Sequence, residues 1–294
     1  MLKRIPLLSI FVFLGLVSMQ VPVSAQALVP YTLQLDSKEL EQQGLNLAQE
    51  AVQLVRFQQY DLAMPRATLA TQLAPKSYQT WFILGSLYVQ DKELDKGIEA
   101  LQRAKSLAPK EAGVFFTLGS ARFQKGDYNA AITELESGLR LKPNVPEALF
   151  DLGNSYYMLK QYPNAIAQYQ KAVTQEKKFW PAINNIGLVK YEQGDVAGAI
   201  KQWQAAVAID DQAAEPILAS AVALYTGGDQ EKALSMGEAA LRIDERYGDL
   251  KFLKENLWGD RLLSDTKKFL EVPRIQAMIA RSQSQPVQVE TAPK

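Results

Sequence analysis

Residues 78–111 read YQTWFILGSLYVQDKELDKGIEALQRAKSLAPKE, and the pattern of this stretch returns three times in the residues that follow it. Every copy is 34 residues long and has a glycine at its eighth position. The four glycines are Gly85, Gly119, Gly153 and Gly187. A fixed period of this length is typical of solenoids, in which each unit buries its apolar face against its neighbours. The sequence therefore predicts a repeat architecture with a long binding surface.

The other recurring positions of each copy predict two helices. Positions four, seven, eight and eleven share one helix face, and positions twenty, twenty-four and twenty-seven share a face of a second helix. Small residues at positions eight, twenty and twenty-seven let the two helices approach closely, while bulky residues at positions four and twenty-four fill the space between them. Turn signals precede the second helix at Gly126-Asp127, Gly194-Asp195 and Gly228-Asp229. Each copy is therefore expected to fold as a helical hairpin.

The copy at 78–111 resembles the tetratricopeptide repeat (TPR) family. The residues that carry the resemblance are Trp81, Leu84, Gly85, Tyr88, Gly97, Leu101, Ala104 and Pro109. Weaker copies keep the register on both sides, so six units are expected, numbered one to six: 44–77, 78–111, 112–145, 146–179, 180–213 and 214–247. The resemblance implies an all-α fold, a right-handed α-solenoid of helix-turn-helix repeats. The stretch from Phe252 to Asp260 also resembles the endings of cyanobacterial TPR proteins.

The first residues are typical of a secretory signal peptide. Lys3 and Arg4 precede an apolar run over 5–17, and Ala25-Gln26-Ala27 supplies a small-x-small cleavage site. We therefore expect residues 1–27 to be a signal peptide and the protein to be exported, to the periplasm or the thylakoid lumen. An uncleaved membrane anchor is the alternative, although the run is shorter than the roughly 20 residues that a transmembrane helix needs.

The segments that flank the repeats have their own expected roles. Residues 28–43 are expected to form a leader before the first unit. Apolar spacing within 248–281 predicts helices that cap the exposed apolar end of the last unit. The polar segment 282–294 contains two prolines and is expected to be disordered.

The composition argues against several classes of site. The 294 residues include no cysteine and no histidine, which removes the usual zinc ligands and the commonest general base. The glycines do not form a phosphate-binding loop. Acidic and basic residues number 32 each, so no net charge favours nucleic acid or anionic lipid. We therefore predict no catalytic residue, no metal, no cofactor and no nucleic-acid partner.

Positions five, nine and twelve of the first helix in each unit lie on a face distinct from the packing face, because they are spaced i, i+4, i+7. In the TPR family this face lines the concave groove, so the resemblance implies that its residues bind a partner. The candidate partner-binding residues are Phe82, Phe116, Phe123, Phe150, Asn154, Tyr157, Asn184, Tyr191 and Tyr225. Aromatic rings offer large contact area and amides bond a partner's backbone, so the groove suits an extended or helical protein segment. The alternative is that these residues only pack neighbouring first helices together.

Together these features predict a non-catalytic protein-protein interaction scaffold or adaptor. A resemblance to photosystem-assembly TPR proteins of cyanobacteria implies a role in assembling a membrane complex, with its subunits as partners. The TPR subtype that binds an acidic C-terminal tail is disfavoured, because Phe150, Glu215 and Ala219 stand where basic residues would be needed. A structural solenoid that associates with itself is the alternative function, and an enzyme is a third, poorer one.

Overall fold

The computed structural model describes residues 36–284, and all regular structure in that range is helical. The helices are α1 Ser37–Arg56, α2 Tyr60–Leu73, α3 Tyr78–Gln90, α4 Leu94–Leu107, α5 Ala112–Lys125, α6 Tyr128–Leu141, α7 Pro146–Met158, α8 Tyr162–Gln175, α9 Trp180–Glu192, α10 Val196–Val207, α11 Ala214–Thr226, α12 Gln230–Ile243, α13 Leu250–Glu255, α14 Asp260–Leu270 and α15 Pro273–Ser284. A short 3₁₀ helix, Glu245–Gly248, lies between α12 and α13.

Consecutive helices pair into six hairpins, from α1–α2 to α11–α12, and each hairpin packs on the next one. The odd-numbered helices α1 to α11 are the first helices of units one to six, and the even-numbered helices α2 to α12 are the second helices. The predicted all-α solenoid of helix-turn-helix repeats is confirmed.

The recurring glycine at position eight lies where the two helices of a hairpin touch. A Cβ atom added to Gly153 would lie 2.5 Å from Cε1 of Tyr169, and one added to Gly119 would lie 2.6 Å from Cγ of Leu135. Both bulky partners stand at position twenty-four and are fully buried. Because a close-packed interior has no room for the extra atom, glycine at position eight sets how closely the helices approach.

In the turn inside each hairpin, the residue at position fifteen has a positive φ, in the left-handed region of the Ramachandran plot. Three units have glycine there, with φ between 87° and 96°: Gly126, Gly194 and Gly228. The other three have a side chain there, with φ of 58°, 64° and 57°: Gln58, Lys92 and Lys160. The turn geometry is therefore the same in all six units, although only three of them have glycine, which adopts a positive φ without strain.

The helices extend further at both ends than the repeat register indicates. Helix α1 begins at Ser37, within the segment predicted as a leader, because Leu40, Gly44 and Ala48 continue one helix face. Helix α15 ends at Ser284, within the segment predicted to be disordered. The predicted signal peptide, the start of the leader and residues 285–294 lie outside the described residues. No helix in the described part is long and apolar enough to cross a membrane.

The three C-terminal helices cover more than the end of the array. Helix α15 packs on α12, at the end of the last unit, as expected for a cap. Helix α14 instead packs on α9 and α11, the first helices of units five and six. The C-terminal segment therefore lies on the face that the sequence register assigns to partner binding.

Candidate partner-binding groove

We define the groove face as the surface that the first helices of units two to six form with positions five, nine and twelve and with positions two, six and thirteen, which adjoin them on the same side of the helix. Its polarity changes along the array. Position nine is polar in units two to four, where it is Ser86, Ser120 and Asn154, and aliphatic in units five and six, where it is Leu188 and Val222. Both aliphatic residues are almost fully buried. The apolar half of the groove face is therefore the half that α14 covers, as the hydrophobic effect requires.

Tyr191, a predicted partner-binding residue, is buried beneath α14. Its hydroxyl donates a hydrogen bond to Asp265 at 2.9 Å, and the guanidinium of Arg261 lies 5.1 Å from the centre of its ring. Burial, together with the Asp265 carboxylate, raises the pKa of Tyr191 to about 12. Tyr225 is covered in the same way, since its ring meets that of Phe269 edge-on with 5.4 Å between centroids. The Tyr191 side chain is therefore closed to a partner in this arrangement, and Tyr225 is half-buried.

Carboxylates of the groove face hold the segment 257–270, which we call the docked segment. Glu192 accepts hydrogen bonds from the backbone N–H groups of Arg261 at 3.1 Å and Leu262 at 3.0 Å, so it caps the first turn of α14. Glu215 accepts a hydrogen bond from Nε1 of Trp258 at 2.9 Å. Burial raises the pKa of Glu215 to about 7, although this hydrogen bond works in the opposite direction. The docked segment is therefore held by directional polar contacts as well as by apolar burial.

The asparagines of the groove face form a buried network between α7 and α9. Oδ1 of Asn154 accepts a hydrogen bond from the hydroxyl of Tyr169 at 2.8 Å and another from Nδ2 of Asn185 at 2.9 Å. Nδ2 of Asn184 donates to Oδ1 of Asn185 at 3.1 Å. Buried amides need such partners, because an unmet hydrogen bond costs about 1–3 kcal/mol. The bond between Asn154 and Asn185 thus joins units four and five, whereas Asn184 bonds within α9 and its buried Oδ1 has no hydrogen-bond partner among the described residues.

Tyr157 marks the boundary between the covered and open halves of the groove face. Its ring is 6% exposed and lies 6.0 Å from the ring of Tyr162, and Leu257 of the docked segment packs in the same apolar cluster. Its hydroxyl is buried and has no hydrogen-bond partner among the described residues. Burial drives the pKa of Tyr157 far above its usual range. The side chain therefore acts as packing for the edge of the docked segment.

The open half of the groove face extends over α3, α5 and α7. Four predicted partner-binding residues lie there and are half-buried: Phe82, Phe116, Phe123 and Phe150. Each ring also touches its own surroundings. The ring of Phe150 lies 5.5 Å from that of Phe179 and 5.8 Å from that of Tyr169, and the ring of Phe116 lies where a Cβ of Gly138 would be. These rings therefore pack between helices on one side and face solvent on the other.

The structure thus divides the nine predicted residues into two groups. Four lie on the open half, and five are buried or covered by the docked segment: Asn154, Tyr157, Asn184, Tyr191 and Tyr225. The contacts of Trp258, Arg261 and Asp265 were not predicted, because these residues lie outside the repeat and have no register. A signal was nevertheless present, since position nine becomes aliphatic at Leu188 and Val222, which indicates that this part of the groove face needs a cover.

Comparison with known families agrees with the repeat architecture. Family models described as TPR repeat or tetratricopeptide repeat match four stretches of the chain: 78–111, 119–160, 146–179 and 184–247. No curated protein matches the chain in sequence.

Solved structures with a similar fold include PilF, MamA and YrrB. PilF of Pseudomonas aeruginosa has a TM-score of 0.61 and 16% identity, over 75% of this chain and 98% of PilF. MamA has a TM-score of 0.52 and 24% identity, over 55% of this chain and 94% of MamA. YrrB, described as a TPR protein with an unusual peptide-binding site, has a TM-score of 0.50 and 21% identity, over 69% of this chain and 97% of YrrB. At these identities the likeness shows the fold alone.

Proposed function

We propose that this tetratricopeptide-repeat protein is a non-catalytic interaction scaffold that binds a segment of another protein on the open half of its groove face. The observation that carries the proposal is the row of half-exposed aromatic rings on three successive first helices, α3, α5 and α7. Such rings supply contact area at a small cost in side-chain entropy. The peptide-binding site in the description of YrrB, a protein of the same fold, supports the same class of function.

Site-specific photocrosslinking tests this proposal. Benzoylphenylalanine replaces Phe82 or Phe123 in the open half, and Leu141 serves as the matched control because it is an exposed apolar residue on a second helix. We expect both groove positions to crosslink to the same protein in the native host, and position 141 to give no such product. Crosslinks from position 141 alone would show that the partner binds elsewhere.

We also propose that the protein is exported and has a role in assembling a membrane complex. The charged start, apolar run and small-x-small site in residues 1–27 support export to the periplasm or the thylakoid lumen. N-terminal sequencing of the protein from its host tests export, with a new terminus expected near Gln26 or Leu28. An intact Met1 in the membrane fraction would favour the anchored alternative. A crosslinked partner that is a membrane-complex subunit would support the assembly role.

Self-association of the solenoid is the second candidate function, and a surface of unit one favours it. Phe57 is 73% exposed, Leu62 is 49% exposed and Leu69 is 43% exposed. Together with the half-exposed Tyr60 they form an apolar surface on α2 and the turn before it. Light scattering coupled to size-exclusion chromatography distinguishes the candidates, because Leu62→Ser should abolish a dimer built on this surface and should leave a groove partner bound.

A further inference from the structure

An unpaired carboxyl group lies on the open half of the groove face. Position six of the first helix in units two to six is Ile83, Thr117, Asp151, Asn185 and Ala219, so only unit four has a charge there. In unit five, Asn185 at this position donates to Asn154, the position-nine residue of the preceding unit. The same register places Asp151 opposite Ser120 on α5.

Asp151 makes no hydrogen bond or ion pair with its side chain in the part of the chain that the structure describes, although it is mostly enclosed. Its neighbour one helical turn earlier, Glu147, has the same charge and is exposed. Burial, and then the charge of Glu147, raise the pKa of Asp151 to about 6. The basic residues of α5 pair with other acids, Arg122 with Asp127 and Lys125 with Asp95.

An enclosed carboxylate without a partner opposes folding, because its lost hydration is not replaced. The location of Asp151 on the groove face relates that cost in stability to partner binding. Asp151 and Glu147 lie one turn apart on α7, which also carries the half-exposed ring of Phe150, and α7 packs on α5, which carries that of Phe116. The combination of apolar rings and uncompensated negative charge is complementary to a segment with apolar residues and a positive charge.

We propose that the open half of the groove face binds a partner segment that carries an arginine or lysine, whose side chain pairs with Asp151 while neighbouring apolar side chains lie on Phe116 and Phe150. This inference rests on the proposed function and specifies the chemistry of the partner. A charged donor on a carboxylate forms a shorter and stronger hydrogen bond than a neutral donor does, and guanidinium groups also stack on aromatic rings. The segment supplies the cation that unit four lacks.

Panning a random heptapeptide phage library on the immobilised full chain tests this inference. The unsubstituted protein is compared with Asp151→Asn, which places at position six the residue that unit five already has. We expect the unsubstituted protein to enrich peptides with a lysine or arginine at one position, and the variant to lose that preference. An enriched peptide and its Gln-substituted counterpart are then compared by fluorescence anisotropy. The basic peptide should bind about tenfold or more tightly to the unsubstituted protein, and less than about twofold more tightly to the variant.

Two controls separate this effect from misfolding. Asp211→Asn changes an exposed acid outside the groove face and should keep the full preference. Asp151→Asn should melt no lower than the unsubstituted protein, because it removes an enclosed charge. Enrichment without a basic residue, or a preference that persists in Asp151→Asn, would overturn this inference and leave the proposed function standing. Failure to enrich any peptide would overturn both.

Discussion

At the scale of single residues, the six turns give an internal comparison of glycine with other residues at one backbone conformation. Position fifteen has a positive φ in every unit, and Gln58 and Lys92 adopt it with a side chain present. A residue with a Cβ pays about 1–3 kcal/mol to remain in a sparsely populated backbone region, whereas glycine does not. Glycine loses more chain entropy on folding, which cancels about 0.4–1 kcal/mol of that gain.

We therefore expect Gln58→Gly and Lys92→Gly to raise the free energy of unfolding, each by about 1 kcal/mol or less. The reverse changes are Gly126→Ala and Gly228→Ala. An added Cβ at either position would meet no atom within 4 Å, so any loss of stability there reports backbone strain alone. Denaturant titrations should show that each of these two variants has a free energy of unfolding about 1 kcal/mol lower than that of the unsubstituted protein. If all four variants had the same free energy of unfolding as the unsubstituted protein, the turns would accommodate either type of residue without backbone strain.

At the scale of elements, Glu215 of α11 binds the docked segment through its hydrogen bond with Trp258. Its pKa is about 7 in the folded protein, against 4.5 for an ordinary glutamate, so the folded state binds more protons between these values. The free energy of unfolding should therefore fall as the pH rises from about 4.5 to 7, by an amount on the order of 2 kcal/mol. Glu215→Gln cannot ionise and should flatten that decline.

Denaturant titrations between pH 5 and pH 8 measure this effect. Asp151 contributes a decline of the same sign, because its pKa is also raised, so the difference between the unsubstituted protein and Glu215→Gln isolates Glu215. Trp258→Phe removes a hydrogen bond that favours the ionised carboxyl and should extend the decline to higher pH. Identical pH profiles for the unsubstituted protein and Glu215→Gln would exclude Glu215 as the cause.

The hairpins could be predicted from the sequence because their interactions are local and repeated. Gly153 and Tyr169 are sixteen residues apart and recur in register with their counterparts, so periodicity alone pairs them. The position of α14 could not be predicted in this way, because Asp265 meets Tyr191 across 74 residues and only once. For the same reason the sequence did not reveal which half of the predicted groove face the docked segment covers.

At the scale of the whole molecule, the two ends of the solenoid differ in how they are covered. Leu253, Phe269 and Ile275 of the C-terminal helices are fully buried against unit six and its neighbours. Unit one has only unit two as a neighbour within the described residues, and α2 leaves an apolar surface in contact with solvent. The stability of a repeat array is approximately a sum of unit and interface contributions. Opening unit one therefore breaks one interface, whereas opening unit six also requires release of α14.

We expect hydrogen exchange to reveal a gradient along the chain, with the weakest protection in α1 and α2 and the strongest in α9 to α12. The difference should be tenfold or more in exchange rate, which is about 1.4 kcal/mol of opening free energy. Mass spectrometry of proteolytic fragments measures it directly. Repeating the exchange at two protein concentrations supplies the control, because protection of α2 that rises with concentration would indicate self-association through Phe57 and Leu62. Protection in α1 and α2 equal to that of α11 and α12 at low concentration would contradict the gradient, since it would require a cover for unit one within the same molecule.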